Sequence, residues 1–159
     1  MVNLVYLLFM NTQNKPPFIA TARLLLEAFR AFETQLAKML GAKGFTDVTT
    51  GNFNILRHLN PEGMRLSELA RDAQISKQAI GKMIKDLEFK GYVELVPDDS
   101  DGRAKYVHFT AKGKKLIDQA VIMVSEMEKQ YQTMLGTKNY DKFRQSVSLI
   151  SQWHLNNEE

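Results

Sequence analysis

The chain of 159 residues contains no cysteine. That excludes a disulfide framework, thiolate zinc and iron–sulfur sites, a cysteine nucleophile and a thiol redox sensor. Long apolar runs are missing too: the longest, Leu4 to Met10, is about a third of what a membrane-spanning helix needs. It has no positively charged lead and no small-residue cleavage site, so it is a poor secretory signal, and the cytoplasm is the expected compartment. There is no phosphate-cradling glycine loop, no nucleophile elbow and no HExxH pair, so an enzyme is not expected. His58, His108 and His154 stand apart from one another and from carboxylates at ligand spacing, and the 8 methionines follow helical stripes as core filler. Neither a metal nor a cofactor is implied. Internal repeats and low-complexity tracts are absent as well.

What is present has ordinary globular proportions, 44% apolar and 25% charged residues, which suits one compact domain or two small lobes. The net charge of +3 is too small to announce a nucleic-acid partner by itself. Its location is more informative. From Arg65 to Lys115 there are eleven basic and eight acidic residues, whereas the rest of the chain has ten of each. The whole excess therefore lies in the middle third.

Residues 1–16 read as an N-terminal extension, in which Met1 to Phe9 is either upstream of a natural start or a flap on a partner. From Pro17 to Leu40, apolar residues at Ala22, Leu25, Phe29, Phe32, Leu36 and Met39 keep a helical period, with Gly41 as the stop. A second helix is expected over Val48 to Leu59, followed by a turn at Pro61 to Met64. Leu66 to Ala73 and Lys77 to Lys90 then read as helix, tight turn, helix. Leu66, Leu69, Ala70 and Ala73 form the first buried stripe and Ile80, Met83, Ile84 and Leu87 the second, with Ile75 in the corner. Ser76 is suited to cap the second helix, because its hydroxyl can accept from the free first-turn amides. Beyond Gly91 the period changes to that of strands, at Tyr92 to Val96 and Arg103 to Phe109, around the turn cluster Pro97 to Gly102. Long helices return over Thr110 to Leu135 and again beyond Gly136, the last with Tyr140, Phe143, Val147, Ile150 and Trp153 on one face. The expected fold is mainly α with a small β-hairpin wing: a winged helix-turn-helix core with helices at both ends.

Such a core suits DNA. The second helix can enter the major groove, about 12 Å wide, with polar residues of its N-terminal part on base edges and phosphates. Ser76, Lys77, Gln78, Gly81, Lys82 and Lys85 are the candidates on that helix. Gln78 can pair with adenine N6 and N7, and Lys82 with guanine or a phosphate. Gly81 either spares bulk against the groove wall or is a tolerated weak spot costing about 1 kcal/mol.

The run from Leu66 to Gly113 resembles the winged-helix core of the MarR (multiple antibiotic resistance regulator) family of transcription factors. Three features carry the resemblance: Leu-Ser-Glu-Leu-Ala at 66–70, the helix from Ser76 to Gly91, and Asp101-Gly102-Arg103 followed by Phe109-Thr110 and Gly113. The last resembles the family's wing signature. It implies that Arg103 enters the minor groove, that Asp101 holds its guanidinium, and that Lys105 joins the contact with DNA. Leu95 departs from the family, many of whose members carry an arginine there. Glu94, Asp98 and Asp99 add negative charge to the wing, the two aspartates reading as solvated turn residues. Fewer phosphate contacts and a strong salt dependence follow.

The resemblance further implies a sequence-specific, ligand-responsive homodimeric repressor. The terminal helices exceed what a winged core needs: residues 17–61 and 110–156 would form the dimerisation region, with Phe18, Ile19, Tyr140, Phe143, Ile150 and Trp153 interleaving, or a helical core within one chain, and 62–109 the DNA-binding lobe. The partner would be double-stranded DNA carrying a pseudo-palindromic operator. A small aromatic or phenolic effector would bind near Arg23, Phe29, Phe53, Arg57 and His58. The rival reading is a winged-helix protein that binds another protein, or an architectural DNA-binding factor without ligand response.

Overall fold

A computed structural model describes residues 19–98 and 101–157, with residues 101–103 described by their backbone only. The expectations for residues 1–16, for Pro17, Phe18 and Asp99, and for the side chains of Asp101 and Arg103 lie outside the described residues. The elements in chain order are α1 (Thr21–Ala42), α2 (Thr50–Leu56), β1 (Met64–Arg65), α3 (Leu66–Asp72), α4 (Lys77–Phe89), β2 (Val93–Asp98), β3 (Asp101–Phe109), α5 (Ala111–Leu135) and α6 (Thr137–Asn156). Two compact units result, one running through Lys114 and one from Lys115 onward.

In the first unit, helix α1 begins at Thr21 rather than at the expected Pro17, Ile19 and Ala20 being non-helical. Its last turns bury Leu36 and Leu40, and it packs on α2. Helix α2 is shorter than expected from Val48–Leu59. Its start is set by Thr49, whose amide and hydroxyl both donate to Asn52 Oδ1 at 3.0 Å. Asn52 is buried, and its amide donates to Asp86 Oδ2 at 3.2 Å, tying α2 to α4. Lys90 closes this polar knot with a 2.6 Å bridge to Asp86, which holds that carboxyl below its ordinary value.

The sheet has three antiparallel strands in the order β1-β3-β2. Met64 pairs with Val107 and Arg65 with Tyr106, while Val93 faces Phe109 and Leu95 faces Val107. The short β1 corrects the expected plain turn over Pro61 to Met64. Two residues are too few for an alternating pattern, and they become a strand because the free edge of β3 supplies partners. Ile55, Leu69, Ile80, Ile84, Leu87, Tyr92 and Val107 are fully buried and form the core beneath α4 and the sheet.

The residues between β3 and α5 explain the Phe-Thr-x-x-Gly pattern. Thr110 Oγ1 donates to the Gly91 carbonyl at 2.6 Å and accepts from the Gly113 amide at 3.1 Å, so it caps α5 while holding the end of α4. Gly113 lies against the Tyr92 carbonyl, where a Cβ would collide with the oxygen. The Tyr92 hydroxyl donates to Asp47, and Lys112 Nζ lies 4.1 Å from the centre of the Tyr92 ring while bonding the Lys90 carbonyl at 2.8 Å.

The second unit pairs the body of α5 with α6. Gly136 adopts a φ of 75° between them, and its carbonyl accepts from the Asn139 and Tyr140 amides that open α6. Tyr140 is buried, and its hydroxyl donates to Glu128, to which Arg144 Nη1 also donates at 2.7 Å. Phe143, Leu149, Ile150, Trp153 and Leu155 remain exposed on the single chain.

Candidate nucleic-acid interface

Helix α4 is fixed at its start by its own sequence. The Ala79 amide donates to Ser76 Oγ at 3.2 Å, so Ser76 is the N-cap. Ahead of it, the Ile75 amide closes α3 by reaching back to the Ala70 carbonyl at 2.9 Å. Gln74 makes that turn in the left-handed region, with a φ of 54°.

The buried stripe Ile80, Ile84 and Leu87 sets the rotation of the helix. At about 100° per residue, Gln78, Lys82 and Lys85 fall on the opposite side, and all three are exposed, as are Ser76 and Lys77. None of the three lysines has an ion pair within the described residues; the bridges there go to Lys90 and Lys112. The outward face of α4 thus carries two cations, Lys82 and Lys85, with no ion-pair partner among the described residues, and Lys77 stands exposed in the first turn. Gly81 lies at the edge of that face, and a Cβ there would meet nothing within 4 Å. The fold leaves open space at this glycine, and nothing in the chain's own packing demands it.

At the wing, Lys105 is exposed in β3, level with Pro97 of β2. Asp101 and Arg103 lie in the same strand, Asp101 opposite Asp98. Asp98 corrects the reading of a solvated turn charge. Its side chain is 6% exposed and bridges Arg65, with Nη2 at 2.6 Å and Nε at 2.7 Å from Oδ2. This charge-assisted pair ties β1 to the last residue of β2, at the turn end of the hairpin. Sequence reasoning missed Arg65, because its partner is 33 residues away.

Of the residues expected to bind an effector, three meet. The Arg57 guanidinium lies 5.0 Å from the centre of the Phe29 ring, its Nε donates to the Phe53 carbonyl at 3.1 Å, and its Nη2 reaches Glu33 at 2.5 Å. Glu33 was not anticipated. His58 follows Arg57 in the chain and is half-buried, whereas Arg23 is engaged with Glu27 at 2.8 Å, one turn along α1.

Residues 46–104 match the model of the MarR family. Over these residues the winged lobe is similar to that of the MarR family. The match runs from just before α2 through α3, α4 and β2 into β3, so it includes the helix-turn-helix and Arg103. Solved structures agree on the fold over more of the chain. The complex of S. aureus MepR with DNA has a TM-score of 0.70 at 17% identity, over 85% of this chain and 98% of that one. E. coli MarR in its apo form has a TM-score of 0.67 at 20% identity, over 84% and 97%. NadR in complex with 4-hydroxyphenylacetate has a TM-score of 0.66 at 24% identity, over 94% and 100%. No curated protein matches the chain. Among the described residues no helix is long and apolar enough to cross a membrane.

Proposed function

We propose that the chain is a sequence-specific DNA-binding transcriptional regulator that acts in the cytoplasm as a homodimeric, ligand-responsive repressor, without catalytic activity. The observation that carries the reading is the outward face of α4, where Gln78, Lys82 and Lys85 stand exposed, the two lysines with no counter-ion among the described residues, on a helix whose rotation and start are fixed. Leaving such cations unpaired on a rigid element suits a polyanion, because each phosphate contact releases condensed counter-ions.

In this reading residues 62–109 form the lobe that meets DNA. Ser76, Lys77 and Lys85 hold phosphates, Gln78 and Lys82 read base edges, and Gly81 lets the helix approach the groove wall. Arg103, steadied by Asp101, enters the minor groove, with Lys105 on the flanking backbone. Residues 17–61 and 110–156 bring two copies together through the exposed apolar residues of α1 and α6, which presents two α4 helices to successive major grooves of a pseudo-palindromic operator. MepR bound to DNA, a likeness of fold, supports the choice of partner. NadR with its phenolic acid supports an aromatic or phenolic effector, for which Arg57, Phe29 and Phe53 make a cationic and aromatic cluster beside His58 and Arg23.

Fluorescence anisotropy at two salt concentrations, with a random duplex and with the DNA upstream of the chain's own gene, tests the reading. The expected result is a sequence preference that persists as overall affinity falls with salt. Equal affinity for both duplexes at both salts would refute it.

A further inference from the structure

Phe89, the last residue of α4, is 92% exposed, more than any other large apolar residue described. A single exposed apolar side chain needs no explanation by itself. Its register does. At about 100° per residue, Phe89 returns to within about 20° of Gln78, and Lys82 and Lys85 lie within about 40° of the same line. The four residues therefore form one row on the side opposite Ile80, Ile84 and Leu87. The row carries an amide, two ammonium groups and then an aromatic ring.

We propose that Phe89 is the apolar end of the DNA-facing row of α4 and reads a thymine through its 5-methyl group. The inference rests on the DNA-binding reading above. Each base edge in the major groove offers donors and acceptors suited to the polar members of the row, and thymine alone adds an apolar group there. A ring without hydrogen-bonding capacity, held in line with three polar side chains, matches that group. Position follows from the helical rise: eleven residues separate Phe89 from Gln78, about 16 Å, which spans at most about five base pairs because a helix in the groove is inclined to the duplex axis. The thymine in question thus lies within about five base pairs of the step read by Gln78, in each half-site.

The test uses the full chain and duplexes selected by it from a randomised pool. Each thymine is replaced in turn by deoxyuridine, which removes the methyl and leaves base pairing intact. For the unaltered protein one thymine per half-site is expected to cost about fourfold in affinity, the effect of returning one methyl to water. Phe89→Ala is expected to lose affinity on the thymine duplex, on the order of tenfold, and to become indifferent to deoxyuridine at that position; Phe89→Leu keeps part of the sensitivity. Because the side chain is exposed, the thermal midpoint of each variant should equal that of the unaltered protein, which separates a contact from misfolding. Two results overturn the proposal while sparing the wider reading: selective binding by the unaltered protein with no deoxyuridine-sensitive position, or a Phe89→Ala variant that matches it on every duplex. Failure of the pool to yield any preferred sequence would remove the DNA-binding reading itself.

Discussion

Replacing Gly113 by alanine is expected to destabilise the protein although it removes a glycine from a helix. In an unconstrained helix the change would stabilise by about 1 kcal/mol. Here the new Cβ would collide with the Tyr92 carbonyl oxygen and come 3.0 Å from both the Tyr92 carbonyl carbon and Phe109 Cδ1. The obstruction is backbone, so no side chain can swing aside. The Tyr92 carbonyl also accepts from the Thr110 amide at 3.1 Å, and the Gly113 amide donates to Thr110 Oγ1, so any retreat of α5 strains the cap as well. Overpacking of this kind costs about 1–3 kcal/mol, and weakening one hydrogen bond adds about 1 kcal/mol. After the gain in helix propensity, the net loss is about 1–3 kcal/mol, a fall in thermal midpoint of about 3–10 °C for a chain of this size. Calorimetry or thermal circular dichroism reads it directly. A Gly113→Ala variant that melts at or above the parent would refute the close-approach explanation of the Phe-Thr-x-x-Gly pattern.

Gly81→Ala should do the opposite, raising stability by about 1 kcal/mol because its Cβ meets nothing, while weakening DNA binding if the helix approaches the groove closely there; denaturant melts and anisotropy on the same samples separate the two. Ser76→Ala should cost about 1 kcal/mol through loss of the cap to the Ala79 amide, seen in the same melts. Lys82→Ala and Gln78→Ala should relax base preference within the half-site by about 1–3 kcal/mol, and Arg103→Ala should weaken binding most on A·T-rich flanks; equal losses on all sequences would contradict base reading. Stability should also fall on acidification through the carboxylate range. The Tyr92 hydroxyl holds Asp47 below its ordinary value, and Lys90 does the same for Asp86, so their contribution is complete above the unfolded carboxylate values and is lost as pH drops through the depressed folded ones. Asp47→Asn should flatten that slope. At the alkaline end the sign reverses: burial and Asp47 push the Tyr92 phenol upward, so its contribution is complete below 10.0 and declines as pH rises beyond it, a decline that Tyr92→Phe should abolish.

How much of this was legible in the sequence differs by element. Helix α4 was legible to a residue, because Ser76, the stripe at Ile80, Ile84 and Leu87, and the closing Gly91 are local signals that agree. The hairpin was legible from alternation at Tyr92 to Val96 and Arg103 to Phe109. The start of α1 was not, since proline at an expected first position cannot prevail over non-helical Ile19 and Ala20. β1 escaped because a two-residue strand has no period of its own. The largest misreading was Asp98. In sequence it belongs to a run of turn residues, whereas in space its carboxylate is enclosed with Arg65, a pairing that depends on β1 being laid beside β3. The cluster about Arg57 was anticipated in part, Glu33 being missed because α1 and α2 must pack before it comes within reach.

The central claim is that the outward face of α4 is what meets the duplex. Lysine acetylation rates, measured residue by residue with and without the selected duplex, test it most directly. Protection of Lys77, Lys82 and Lys85, with Lys38, Lys129 and Lys142 reacting as before, is the result the account requires. Unchanged rates at the first three, with protection moved to the lysines of α1, α5 or α6, would contradict it.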